Sequence, residues 1–130
     1  MKIAKSTEYA LLAAVHIAQN YKEWSVLSHK ISKEYNIPLE YLLKILQQLV
    51  RANVLRSKRC PNCGFVLTRD AKKISLLQII EAVDGPMVSN MHLSDHTNKK
   101  FSKNIETACD KAIGLARNAY AKTSLADVMK

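Results

Sequence analysis

Apolar residues recur at helical spacing in the first twenty positions and lie almost all round the predicted helix. They are Ala10, Leu11, Ala14, Val15, Ile17 and Ala18. A helix that is apolar on most sides is usually buried in a core or in a dimer interface. The pattern therefore predicts a buried helix over about residues 6–20, with Ser6 or Thr7 as the capping residue at its start.

Two amphipathic segments follow with a very short gap between them. The first covers about residues 25–35, and the second begins with Pro38 in its first turn and continues to about Ala52. One face of the second segment is apolar (Leu42, Ile45, Leu46, Leu49), and the opposite face is polar (Glu40, Lys44, Gln47, Arg51). Two helices joined by so short a turn predict a helix-turn-helix.

Two short β-forming runs come next, over residues 54–56 and 65–68, joined by a long tip at residues 57–64. Three helices followed by a hairpin are the order of a winged helix-turn-helix. A capping box then begins at Ser75, before an apolar helix that ends at residues 84–86. The fold class we predict is therefore mainly α with a small β-hairpin wing.

The remaining chain divides into a loop and a long helix. Residues 87–103 show little periodicity, and a helix is predicted from about Asn104 to Lys122, with Ser124 capping a last turn. A helix of that length outside the first domain usually finds a partner. We accordingly predict a winged-helix domain over 1–86, a loop over 87–103, and a dimerisation helix with a C-terminal turn over 104–130.

Composition narrows the functional class. The chain has 130 residues, which fits one domain, and only three Gly and three Pro, which disfavours a many-stranded sheet. The longest apolar run is far shorter than the roughly 20 residues of a membrane span, and no export or lipidation pattern is present. We expect a cytoplasmic protein without a membrane partner, in which the three cysteines are thiols or metal ligands.

Basic residues concentrate in one part of the chain. Twenty Lys and Arg against eleven Asp and Glu give a net charge of +9. Residues 41–69 contain six basic side chains and no acidic one: Lys44, Arg51, Arg56, Lys58, Arg59 and Arg69. A run of positively charged side chains is often only a surface exposed to solvent. Here, however, it covers the two elements that a winged helix places against DNA. Double-stranded DNA is therefore the expected partner.

Five segments resemble the Rrf-type winged-helix family of IscR, NsrR and CymR, and they keep that family's order over nearly the whole chain. They are Ser6–Leu11, Ile37–Leu49, Arg59–Leu67, Ile74–Val83 and Thr123–Asp127. The resemblance implies a homodimeric bacterial transcription regulator whose long C-terminal helix crosses to the partner subunit. It also implies that the third helix enters the major groove and that a wing arginine, by position Arg59, enters the minor groove.

The candidate DNA contacts come from the third helix and the wing. They are Pro38, Leu39, Glu40, Tyr41, Leu43, Lys44, Gln47, Arg51, Arg56, Lys58 and Arg59. A two-fold dimer reads a two-fold site, so the expected operator is pseudo-palindromic. No paired carboxylates, nucleophile elbow, phosphate loop or HExxH motif is present, so we expect no enzyme.

The chain departs from the family in its sensor loop. Cluster-binding members usually carry three cysteines in the loop that corresponds to residues 87–103, whereas this loop has none. We therefore expect no conventional iron–sulfur cluster. Glu8, His92 and Cys109 are weaker metal or cluster candidates, and a lone helical cysteine is more often a small core residue.

The wing departs from the family as well. The family's usual Gly-Pro-x-Gly-Gly is replaced here by a sequence with two cysteines, Cys60-Pro61-Asn62-Cys63-Gly64. Such a pair can form a disulfide or give two thiolates to a metal such as zinc, although structural zinc needs about four ligands. The cations Lys58 and Arg59 favour the thiolate and thus a redox switch. A metal-responsive regulator and an inert pair remain the alternatives.

Two other functional classes fit the sequence less well. A thioredoxin-like thiol-redox protein would carry its Cys-x-x-Cys at a helix N-terminus in an α/β unit, whereas Cys60 and Cys63 fall on a predicted hairpin tip. The other class is an interaction module that binds no DNA, and nuclease-resistant DNA that co-purifies with the protein would argue against it.

Overall fold

The computed structural model describes residues 2–20, 25–58 and 64–130. Its helices are α1 (Lys5–Gln19), α2 (Ser28–Tyr35), α3 (Leu39–Arg51), α4 (Leu76–Asp84), α5 (Lys100–Lys122) and α6 (Leu125–Val128). Its strands are β1 (Leu55–Ser57) and β2 (Phe65–Leu67), and short 3₁₀ turns lie at Ala71–Lys73 and Leu93–Asp95. The predicted fold class, mainly α with a two-stranded hairpin, is confirmed.

Helices α1, α3 and α4 pack together and form the core. Ala10, Ala13 and Ala14 of α1 are fully buried, and small side chains allow neighbouring helices to approach closely. The predicted apolar stripe of α3 is buried along its whole length (Leu42, Ile45, Leu46, Leu49). Full burial of each of these side chains contributes about 1.5–3 kcal/mol, so this stripe fixes α3 and leaves its opposite face to solvent.

The start of α1 differs from the prediction. The helix begins at Lys5, and the preceding Ala4 is extended and makes no side-chain cap. The N–H groups of Thr7 and Glu8 both donate to the carbonyl of Ala4, which brings Ser6 and Thr7 inside the helix. Neither residue is therefore the cap, and Thr7 is fully buried.

The turn between α2 and α3 is set by two residues. Asn36 adopts the left-handed conformation (φ 54°), which asparagine tolerates better than most residues. Pro38 stands directly before the first residue of α3, and the intervening Ile37 is buried. The predicted helix-turn-helix is thus formed by a tight turn with its own apolar anchor.

A hydrogen bond and a ring contact join α1 to α2. The Nδ1 atom of His16 lies 2.9 Å from the hydroxyl of Tyr35, and the two rings meet edge to face. Burial and then the charge of Glu34 raise the pKa of Tyr35, so its hydroxyl keeps the proton at neutral pH. This pair sets the position of α2 against the core.

The end of α3 determines where β1 begins. Asn53 is left-handed (φ 62°), and the N–H of Val54 reaches back to the carbonyl of Leu49. The N–H of Asn53 donates to the carbonyl of Val50, which completes a Schellman motif. Because Val54 belongs to this motif, β1 starts one residue later than predicted, at Leu55.

The hairpin contacts an extended segment, residues 25–27, which the sequence pattern predicted to be part of the second helix. Helix α2 begins at Ser28 rather than at Ser25, and Val26 pairs with Phe65 through two backbone hydrogen bonds of 3.0 and 2.8 Å. The N–H of Gly64 donates to the hydroxyl of Ser25. These contacts hold the base of the wing against the start of the helix-turn-helix.

Helix α4 follows the prediction, whereas α5 begins earlier than expected. The capping box at Ser75 is present, and α4 ends where Gly85 adopts a positive φ of 84°. Helix α5 starts at Lys100 instead of Asn104, because the N–H and hydroxyl of Ser102 both bond to the carbonyl of Lys99. Residues 99–103 include three lysines, so the hydropathy pattern shows no apolar periodicity for this first turn of the helix.

The chain returns to the core after α5. Ser124 caps α6 as predicted, and its N–H donates to the carboxylate of Asp127. That hydrogen bond is the main reason why the pKa of Asp127 lies below its ordinary value. Leu125 is fully buried in the same core as α1 and α3, and its N–H donates to the carbonyl of Ile74.

Candidate nucleic-acid interface

The solvent face of α3 carries a row of four polar side chains. Glu40, Lys44, Gln47 and Arg51 are all exposed. None of these four side chains makes a hydrogen bond or ion pair with residues 2–20, 25–58 or 64–130. Because the opposite face of α3 is buried in the core, the helix is held in place. Its four exposed polar side chains are therefore available to a ligand.

The predicted DNA contacts that the structure describes lie together on α3 and β1. Pro38, Leu39, Glu40, Tyr41, Leu43, Lys44, Gln47, Arg51 and Arg56 are all exposed. Lys58 is half-buried directly after β1, and Arg59 lies outside the described residues.

Tyr41 is supported from α1. Its ring meets that of Tyr9 edge to face, with centroids 5.6 Å apart. The ammonium of Lys5 lies 5.5 Å from the centre of the Tyr9 ring and 3.6 Å from the carboxylate of Glu8. These contacts restrict the conformations of Tyr41 at the start of α3.

Arg69 has a different role from the other cations of the basic block. Its guanidinium donates to the backbone carbonyls of Asn53 and Lys73 and to the hydroxyl of Thr68. Thr68 in turn donates to the carbonyl of Asn53. Arg69 therefore joins the turn after α3 to the 3₁₀ turn at Ala71–Lys73 that follows the wing, which its position in the sequence did not reveal.

The wing is closed at its base by backbone pairing. Leu55 faces Leu67 and Ser57 faces Phe65 in an antiparallel register. Beyond that pair, the N–H of Lys58 donates to the carbonyl of Gly64 at 2.8 Å. Residues 59–63, which include Cys60 and Cys63, join these two positions and lie outside the described residues.

An exposed apolar stripe follows α5. Phe101, Ile105, Ala108, Ala112, Leu115 and Ala119 are all exposed, at alternating spacings of four and three residues. Leu115 is 64% and Phe101 53% exposed. The neighbouring face, which includes Ser102, Glu106 and Tyr120, is the more buried one. The 4-3 spacing is that of the a and d positions of a coiled coil.

The weaker metal candidates do not form a cluster. Glu8 is exposed beside Lys5, His92 is exposed before a 3₁₀ turn, and Cys109 is half-buried on α5. In the part of the chain that the structure describes, no three His, Cys, Asp or Glu side chains are placed to hold one metal ion.

Comparison with known proteins identifies the family. The sequence model of the Rrf2 family, described as "Iron-dependent Transcriptional regulator", matches residues 3–130. The chain belongs to the Rrf2 family. It is 29% identical over 137 residues to the HTH-type transcriptional regulator IscR of Cereibacter sphaeroides, a match that covers all of this chain and 88% of the relative.

Solved structures of two family members share the fold. CymR, the global cysteine regulator of B. subtilis, has a TM-score of 0.85 at 21% identity, covering 99% of this chain and 96% of its own. IscR of T. potens has a TM-score of 0.75 at 20% identity, covering 99% and 86%. The family match shows the role: the protein is an Rrf2-family transcription regulator of the helix-turn-helix type, as the sequence predicted, and members of that family are not enzymes.

The described residues do not provide the iron site that the family description suggests. Cys109 is the one cysteine they contain, and it belongs to no group of three His, Cys, Asp or Glu side chains that could hold a metal ion. No helix in residues 2–20, 25–58 or 64–130 has both the length and the apolar character required to cross a membrane.

Proposed function

We propose that this Rrf2-family regulator is a homodimer that binds a pseudo-palindromic duplex, with the solvent face of α3 in the major groove and the wing at the minor groove. The observation that carries the proposal is the face of α3, where Lys44, Gln47 and Arg51 are exposed, unpaired within the described residues, and fixed to a buried stripe. Amide and guanidinium groups on such a helix are the usual readers of base edges and phosphates.

The stripe on α5 supports the dimer. Large side chains such as Leu115 are rarely left in water along one continuous line, and their 4-3 spacing matches a helix packed against a parallel or antiparallel copy. We infer that the same stripe of a second chain covers it. Two α3 helices would then be held at a fixed separation, which selects a two-fold operator.

The wing is proposed as the redox-responsive element. Cys60 and Cys63 are separated by two residues and flanked by Lys58 and Arg59, which favour the thiolate. Residues 59–63 join two backbone groups that are hydrogen bonded, so a disulfide there closes a ring at the end of the hairpin. We infer that this ring withdraws Arg59 from the DNA and weakens binding. We also propose that the chain is divided into a DNA-binding domain over 1–86, a loop over 87–103 and a dimerisation region over 104–130.

The test is selection of bound duplexes from a random pool by the reduced protein, followed by affinity measurements. We expect a two-fold sequence, a dimer in sedimentation, and a slope of log K against log salt with magnitude on the order of 5 to 10. Arg59→Ala is expected to cost about 1–3 kcal/mol of operator binding, whereas the control Lys22→Ala costs little. A monomer at binding concentrations, or an affinity insensitive to salt, contradicts the proposal.

A further inference from the structure

Helices α4 and α5 lie side by side in opposite directions and are joined at two points. At one point the backbones meet, because the N–H of Leu76 donates to the carbonyl of Thr123 at 2.8 Å. At the other point the guanidinium of Arg117 donates to the Oε1 atom of Glu81 at 3.4 Å. A helix held at one point can pivot about it. The contact between Glu81 and Arg117 therefore fixes the direction in which α5 leaves the winged helix.

Glu81 also holds the chain that leaves α4. Its second carboxylate oxygen, Oε2, accepts the N–H of Met87 at 2.9 Å, just after the turn at Gly85 and Pro86. One carboxylate thus joins α4, the segment that follows it and α5. The Glu81 side chain is 25% exposed, so water competes for these two contacts less than it does at an open surface.

A second carboxylate ties the same segment to α5. The Oε1 atom of Glu106 accepts the N–H of Ser94 at 3.1 Å. Glu106 and Arg117 are about three helical turns apart, so both lie on the same side of α5, about 150° from the middle of its apolar stripe. The winged helix and residues 87–94 thus attach to one side of α5, and the stripe proposed to meet a second chain lies on the other.

The length of α5 amplifies any change at Glu81. The helix continues from Arg117 to Lys100, about 25 Å at the rise of an α-helix, and most of the apolar stripe lies in this part. A rotation of about 10° at Glu81 moves the far end of α5 by about 4 Å, which exceeds the base-pair step of about 3.4 Å. In a dimer formed through the stripe, the direction of α5 therefore sets the distance between the two α3 helices.

We propose that Glu81 is a positioning residue that sets the half-site spacing of the operator, through its contacts with Arg117 and Met87. The inference rests on the dimer and the DNA binding proposed above. Glu81 selects among duplexes by the distance between their half-sites and contacts no base. Glutamate suits this position because it has two acceptor oxygens and a negative charge, whereas glutamine has one acceptor oxygen and no charge.

The experiment uses the operator selected by the wild type and derivatives in which the half-sites are one or two base pairs closer or farther apart. An isolated half-site is titrated as well. We expect the full-length wild type to lose at least about ten-fold in affinity for a change of one base pair, because a fixed dimer matches one spacing. Glu81→Gln and Arg117→Gln each remove the ion pair, and this loss should fall to about three-fold.

Glu81→Ala removes both contacts of the carboxylate and should bind neighbouring spacings almost equally. The double variant Glu81→Gln/Arg117→Gln should tolerate other spacings no better than either single variant, because both changes remove the same contact. Lys111→Gln is the matched control, since Lys111 is an exposed cation of α5 without an ion pair in the described residues. It should keep the wild-type spacing preference.

Thermal midpoints and sedimentation check that each variant is a folded dimer, which we expect because partly exposed ion pairs contribute little to stability. Affinity for the isolated half-site should be unchanged in Glu81→Gln and Arg117→Gln. If these two variants keep the wild-type spacing preference, or lose affinity equally for every duplex and the half-site, Glu81 does not set the spacing. A wild type that binds all spacings equally also overturns the inference. A wild type that binds no duplex refutes the proposed function itself.

Discussion

Gly64 lies against the backbone of Val26, so closely that a Cβ at position 64 would overlap the Val26 carbonyl oxygen. The approach is held by the two hydrogen bonds between Val26 and Phe65 and by the one from Gly64 to Ser25. The neighbouring atoms are backbone and have little freedom to move. Glycine is required here by space and not by its φ angle.

Gly64→Ala is therefore expected to destabilise the protein by at least about 1–3 kcal/mol, because the overlap forces the wing away from the extended segment. The measurement is the urea midpoint, together with operator affinity. Gly114→Ala is the matched control, since a Cβ there meets no atom within 4 Å and lies inside a helix. It should stabilise by about 0.5–1 kcal/mol. Equal effects of the two changes would contradict the close approach at Gly64.

Leu115→Lys is expected to dissociate the dimer. The change places a charge in the middle of the apolar stripe of α5, where Leu115 is the most exposed large apolar residue of the described chain. Ala121→Lys puts the same charge on an exposed part of α5 outside the stripe and should leave the dimer intact. Sedimentation at several concentrations separates the two results. A dimeric Leu115→Lys protein would place the interface elsewhere.

Oxidation is expected to join Cys60 to Cys63 and to reduce operator affinity reversibly. Cys60→Ser/Cys63→Ser should bind equally well before and after treatment with a thiol oxidant. Alkylation followed by mass spectrometry reports the disulfide, and zinc-protected thiols are distinguished because they are recovered as free cysteines after chelation. If the wild type keeps full affinity when oxidised, the cysteines are not a switch.

The α6 cap should be lost in acid. The hydrogen bonds from Ser124 lower the pKa of Asp127, so the carboxylate stabilises the fold above the unfolded-state pKa. This contribution is lost as the pH falls below about 4 and the carboxylate is protonated. Asp127→Asn should therefore be less stable than wild type at pH 7, with the difference shrinking toward pH 2. Urea midpoints measured from pH 7 to pH 2 follow the difference, and Asp110→Asn on the exposed surface of α5 is the control substitution.

Hydropathy periodicity predicted the elements whose packing is local. The stripe of α3 and the capping box at Ser75 depend on residues three or four apart, which a sequence displays directly. The pairing of Val26 with Phe65 and the bonds from Arg69 to two distant carbonyls depend on the chain meeting itself in space. No spacing rule encodes such contacts.

The same distinction applies to the candidate interface. Charge and periodicity indicated Lys44, Gln47 and Arg51 because these residues share one helix face. Ser6 was assigned a capping role from its residue type, and only the packing of α1 beside α3 places it in the groove that Lys44, Gln47 and Arg51 line.

Leu125 is buried in the core of the winged helix although the 23 residues of α5 precede it in the chain. A ribosome therefore completes that core only after it has made the whole of α5. A nascent chain that stops inside α5 lacks the core side chain of Leu125, the bond from Leu125 to Ile74 and the one from Leu76 to Thr123. The core of the winged helix and the helix proposed to recruit its partner are thus completed within three residues of each other, and a chain that ends inside α5 has neither in finished form.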